Sequence, residues 1–200
     1  MTDRKLVKPG RSVRRVPARC DDALALAFKD LARKSGFKIY ELDVKKVRPK
    51  ASIRLKCQVP LCEYYGVCRV CPPHIPGVDD FKKALRDYRK AFLIVLKEKI
   101  ENIEKYRTDF TAEIKLADFV SVLELAAFRH GCYQALGLTV GGCKLCSECA
   151  PLNEPCRRPF KARPSPEGFG IDITELAREA GVPVEWPPVK YVNFMGLILL

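Results

Sequence analysis

The chain has 200 residues, 48% hydrophobic and 30% charged, with a formal net charge of +12 and ten cysteines. That length buries a core without covalent staples, and its balance of apolar and charged residues excludes a disordered polymer. No apolar run approaches a membrane span, the longest being 92–96 and 194–200, and the charged N-terminus leads into no apolar stretch, so a soluble cytoplasmic protein is expected.

Residues 1–19 carry Arg4, Lys5, Lys8, Arg11, Arg14, Arg15 and Arg19 against Asp3 alone. Half of the net charge therefore sits in a segment read as a flexible basic tail, which leaves nucleic-acid binding open but not favoured. Residues 20–200 are read as one domain. From Asp21, DDALALAFKDLARKSGF has an acidic start, an apolar stripe and a closing glycine, which predicts an amphipathic helix ending near Gly36. Residues 38–47 and 51–57 predict strands, the second delivering Cys57 to its end. After a cysteine-rich loop, FKKALRDYRK predicts a helix and AFLIVLKEK a buried strand.

Between Asp109 and Leu138 apolar residues recur at helical spacing, which predicts one long helix ended by Gly137 and the pair Gly141 and Gly142. Pro151, Pro155, Pro159, Pro164 and Pro166 exclude regular structure in the stretch that follows. GIDITELAREAGVP predicts a short helix capped by Asp172 or Thr174 and closed at Gly181, and VKYVNFMGLILL a final strand. The expected fold is α+β: a mixed sheet with flanking helices on one side and two cysteine-rich cluster-binding loops, at 57–74 and 141–160.

Ten cysteines in a reducing compartment point to metal ligands or catalytic groups rather than disulfides. Glutamine and asparagine are scarce, which hints at a heat-loving source, where intracellular disulfides do occur. The sequence GGCKLCSECAPLNEPCRRPF holds Cys143, Cys146, Cys149 and Cys156. Its CxxCxxC triplet can meet three corners of an iron–sulfur cube and a fourth cysteine can close the cage. A structural zinc ion usually takes two distant CxxC pairs instead, so zinc is the alternative cofactor. The stretch CQVPLCEYYGVCRVCPPH holds Cys57, Cys62, Cys68 and Cys71 in a loop stiffened by Pro72 and Pro73. Eight thiolates around two 4Fe–4S clusters would leave each assembly at about −2, so the folded body would be only mildly basic. Either group is complete alone, or ligands are exchanged between the two.

The order KCxxxxCxxYG, CPP, a long helix with LExxAFxxG, GGCxxCxxC, CRxP, RPSxExxGID and a closing aliphatic strand resembles the family of predicted metal-binding proteins filed as DUF2284. The likeness covers nearly all of 50–200 and implies metal binding through cysteines, as iron–sulfur, at Cys57, Cys62, Cys71, Cys143, Cys146, Cys149 and Cys156. Cys68 falls outside those matched positions, which leaves it a ligand or a spare thiol. A spare Cys68 would leave one cluster with three thiolates and an open or non-cysteine corner, for which His74 is the nearest candidate in sequence.

Arg157, Arg158 and Arg163, with Lys161, follow the second thiol group, where they would stabilise an anionic cofactor or receive an acidic partner. Glu124 interrupts an apolar helix face and predicts a salt bridge. His130 and Cys132 read as packing residues of the same helix, and Cys20 as unliganded. The functional expectation is an electron-transfer protein, or a redox or assembly accessory that works with a redox protein or another metalloenzyme. Alternatives are an enzyme using an incompletely ligated cluster and a zinc-stapled nucleic-acid or protein-binding module.

Overall fold

The computed structural model describes residues 22–102, 104 and 108–200; the basic tail and Cys20 lie outside the described residues. Helix α1 (Asp22–Ser35) leads into β1 (Lys38–Asp43). The short helices α2 (Ala51–Leu55) and α3 (Val78–Ala84) precede β2 (Lys90–Lys99). Helix α4 (Thr111–Arg129), β3 (Leu136–Leu138), α5 (Ile173–Glu179) and β4 (Tyr191–Leu199) complete the order. No described helix is long and apolar enough to cross a membrane.

The α+β class holds, but the sheet is not mixed. Its order is β1-β2-β4-β3 and every pairing is antiparallel. The reason is the strand order: β2 and β3 run the same way but have β4 hydrogen-bonded between them, and β1 and β4 run the same way but have β2 between them, so no two co-directional strands are neighbours. Leu138 thereby faces Leu197, and Leu96 faces Phe194.

Nor do the covering elements lie on one side. Phe92, Ile94, Leu96 and Ile198 pack with Leu24 and Phe28 of α1 and Leu116, Val120 and Leu123 of α4. The alternate residues Leu93, Val95, Leu197 and Leu199 pack with Phe81, Phe169, Ile171 and Leu176. A strand buried on both faces carries no polar alternation, which is why AFLIVL reads as a continuous apolar run.

Three sequence boundaries move. The 51–57 segment is helical rather than extended, because Lys50 N–H donates to the Gly170 carbonyl at 2.7 Å and Arg54 of α2 is held by three carbonyls further on. In a five-residue element such tertiary ties outweigh intrinsic preference. β1 stops at Asp43, whose carboxylate accepts from Lys45 N–H and turns 44–46 into a 3-10 helix. The long helix stops at Arg129: Gly131 takes φ 88°, Cys132 N–H donates to Ala127 O at 2.9 Å, and the chain reverses into β3. Asp172 does cap α5, accepting from the N–H groups of Thr174 and Glu175, both at 3.0 Å.

Candidate metal centre

The first thiol loop leaves the end of α2, and one guanidinium closes it. Arg54 donates to the carbonyls of Pro76 and Gly168, both at 2.7 Å, and of Ile75 at 3.2 Å. Its planar fork thus joins the loop's start, its end and the 3-10 turn at 167–169. Between these points the chain folds in successive tight turns: Cys62 N–H donates to Cys57 O, Tyr65 N–H to Cys62 O, Cys68 N–H to Tyr64 O and Cys71 N–H to Cys68 O, at 2.9 to 3.1 Å. Gly66 N–H closes onto Pro72 O at 2.9 Å. His74 is exposed and sets Nε2 3.0 Å from Gly66 O, so that ring nitrogen is spent on the loop's own backbone.

The second thiol loop follows β3 and is pressed against the first. A Cβ on Gly142 would lie 2.4 to 2.6 Å from ring atoms of Tyr64, so only glycine lets this backbone reach the ring face. Lys144 seals the contact from the other side. Its ammonium lies 2.7 Å from Glu113 Oε2, 3.2 Å from Gly142 O, and 5.0 and 4.8 Å from the ring centres of Tyr64 and Phe110. The pair is largely withdrawn from solvent, with side-chain exposures of 11% and 18%. Arg69, in the first loop, donates to the Pro151 carbonyl of the second. Gly142→Ala is therefore expected to push Tyr64 aside, cost about 1–3 kcal/mol of stability and lower metal content, as read from thermal melts and elemental analysis of the same preparation.

Docking the loops brings their sulfurs together. The eight predicted thiols are all free. Cys68 accepts hydrogen bonds from the thiols of Cys143 and Cys71, which hold it well below the ordinary thiol range. The same contacts, with burial, push Cys71 and Cys143 up. Burial also raises Cys57. Backbone N–H groups of Val70 and Cys143 donate to the Cys68 sulfur, that of Leu145 to Cys143, and that of Arg158 to Cys156 at 3.4 Å. Amide groups aimed at sulfur stabilise thiolate charge.

The sulfurs line two cavities. One, of about 370 Å³, is walled by Cys57, Cys62 and Cys71 with Tyr64, Ser165 and Glu167. The other, of about 690 Å³, is walled by Cys68, Cys143, Cys146 and Cys149 with Phe110 and Lys144. Cys68 thus belongs by sequence to the first loop and by position to the second cavity. Among the described residues no group of three or more His, Cys, Asp or Glu side chains is gathered tightly enough to hold a single metal ion; the thiols stand around the cavity walls instead. The donors are soft sulfurs, which suit a thiophilic metal.

The family model for DUF2284, described as a predicted metal-binding protein, matches residues 40–200. The chain belongs to the DUF2284 family. Neither a curated protein nor a solved structure matches it. The match spans both thiol loops of this DUF2284 protein and all of the sheet but the first two residues of β1.

Other predicted residues take separate positions. Arg163 reaches Glu124, with Nε 2.7 and 2.9 Å from the two carboxylate oxygens and an Nη2 contact of 2.6 Å. Glu124 also accepts from Gly137 N–H at 2.6 Å, so the salt bridge expected at this residue also fastens β3. Arg157 donates to Glu148 O at 2.9 Å and bends the second loop back on itself. The Lys161 ammonium lies 2.6 Å from Asp118. His130 caps α4, its Nδ1 2.8 Å from Ala126 O. Cys132 is buried as expected, but it is disulfide-bonded rather than a free packing thiol.

Sequence reasoning passed over Tyr64, Gly142, Lys144 and Glu167. The first three act across the interface between loops, which leaves no local signature. Glu167 did stand in view, as the acid in RPSPEGFG, an unusual residue in a proline-rich segment close to Cys156.

Proposed function

We propose that this protein is an iron–sulfur protein carrying two 4Fe–4S clusters, which acts in electron transfer or as a redox or assembly accessory to another metalloenzyme. The supporting observation is the pair of thiol-walled cavities that meet at the hydrogen-bonded sulfurs of Cys68, Cys71 and Cys143. In this reading Cys57, Cys62 and Cys71 hold one cluster, and Cys143, Cys146 and Cys149 with Cys68 hold the other. Cavities of several hundred Å³ suit a bulky inorganic group better than one tetrahedral ion, and the CxxCxxC run favours a cube over zinc.

Clusters at these sites would supply one-electron chemistry, and the chain's own part is to hold them, shield them and tune them. Tyr64, Phe110 and the Lys144–Glu113 pair close off the wall between the loops. Amide N–H groups directed at sulfur make a more reduced, more negative cluster easier to reach. Val59, Leu61 and Val67 leave 65%, 72% and 60% of their surface exposed on the first thiol loop. An apolar rim beside a redox centre is where a redox protein or metalloenzyme partner would dock.

Anaerobic purification is the direct test. The expected preparation is brown, with iron and acid-labile sulfide in equal amounts, about four of each per cluster. A colourless protein holding zinc and no sulfide would overturn the reading.

A further inference from the structure

Among the described residues the first cavity presents three sulfurs, Cys57, Cys62 and Cys71, and Cys68 borders the second. On its wall stands Glu167. That side chain is largely enclosed by protein and borders the cavity. Burial pushes its carboxyl above the ordinary range, offset in part by bonds from its own N–H and the Ser165 hydroxyl.

No described lysine or arginine forms an ion pair with Glu167. Arg54 acts electrostatically on Cys57, but its donors are occupied by the carbonyls of Ile75, Pro76 and Gly168. Lys56 also borders this cavity, but its side chain is exposed and forms no ion pair with Glu167. Enclosing a carboxylate beside three thiols without a paired cation is costly, and a metal centre is the partner that removes the cost. The placement is also built rather than accidental. Glu167 opens a 3-10 turn whose Gly168 carbonyl is held by Arg54 and whose Gly168 N–H donates to Ser165 Oγ at 3.2 Å. Phe169, next along, is buried and stacks on Phe81 with ring centres 4.3 Å apart.

We propose that Glu167 is the fourth, non-cysteine ligand of the metal centre in the Cys57, Cys62 and Cys71 cavity. This rests on the two-cluster reading and deepens it, by making one corner of the first cluster an exchangeable, oxygen-ligated iron. A carboxylate holds iron in a cube less firmly than a thiolate does, so that corner is where a small anionic or oxygen-donor ligand could enter by displacing Glu167. The second cluster, with four thiolates, keeps all its corners closed.

Mössbauer spectra of the 57Fe-loaded wild-type chain are expected to show one iron subsite with oxygen-type parameters beside the thiolate-ligated ones. This measurement needs no variant. Ferricyanide removes one electron from such a cluster and releases one ferrous ion, leaving a three-iron cluster seen by EPR. Glu167→Ala is expected to speed that loss about tenfold or more, and Glu167→Cys to slow it by a similar factor. The proposal is overturned if every iron of the wild-type protein is thiolate-ligated, or if both variants lose iron at the wild-type rate. Iron and sulfide missing from the wild-type chain would sink the two-cluster reading itself, a result distinct from a fully loaded protein indifferent to residue 167.

Discussion

Replacing Glu124 by alanine is expected to lower stability by about 3–5 kcal/mol, because it strands a mostly buried guanidinium. Arg163 and Glu124 keep only 21% and 13% of their side-chain surface, and Gly137 N–H loses its acceptor in the same step. For a chain of this size the melting temperature should fall by roughly 2–4 °C for each kcal/mol. The effect reaches the first cavity along the backbone. Arg163 begins the segment that carries Ser165 and Glu167, and the intervening Pro164 carbonyl accepts from Thr139 N–H at 2.9 Å. Asp118→Ala is the matched control. It removes a 2.6 Å ion pair to Lys161, the neighbouring cation of that segment, but one about half exposed on each side. It should cost at most about 1 kcal/mol. Equal melting temperatures for the two variants would show that the Glu124 pair does not anchor the wall.

Cys68→Ser is expected to empty the second cavity and spare the first, removing about half of the iron and sulfide. Cys156→Ser is expected to leave the count unchanged. The contrast rests on position: Cys68 borders the cavity of Cys143, Cys146 and Cys149, and accepts the Cys143 thiol hydrogen bond. Cys156, the nearest fourth cysteine in sequence, stands beside Cys143 without lining that space. Metal analysis with EPR of the reduced proteins separates the outcomes. If Cys156→Ser loses the iron and Cys68→Ser keeps it, each loop serves its own cluster and the exchange of ligands is wrong.

Much of the molecule is legible before any coordinates. The acidic start and apolar stripe of α1, the cap of α5 and the closing β4 lie where local pattern puts them, because capping and amphipathic burial act within a few residues. Composition and spacing likewise marked the two thiol groups, since eight cysteines in two short loops stand out from the rest of the chain. Where reading failed, the deciding contact came from far along the chain. The segment holding α2 looks extended, and three carbonyls at 75, 76 and 168 make it a helix anchor. The apolar pattern through residue 138 looks like one helix, and β4 draws its end into the sheet as β3.

By itself, then, the sequence determined the α+β class and the family, and it singled out two groups of cysteines, because these follow from residue type and short-range spacing. The tertiary structure alone decided which sulfurs share a cavity. Tyr64 against Gly142, the Lys144–Glu113 pair and Arg69 on Pro151 press two loops some seventy residues apart onto one another. That contact carries Cys68 across to the second set, while the turn at 167–169 brings Glu167 to the wall of the first cavity. Ligand sets are defined by distance in space, and spacing along a chain constrains that distance only within a single loop.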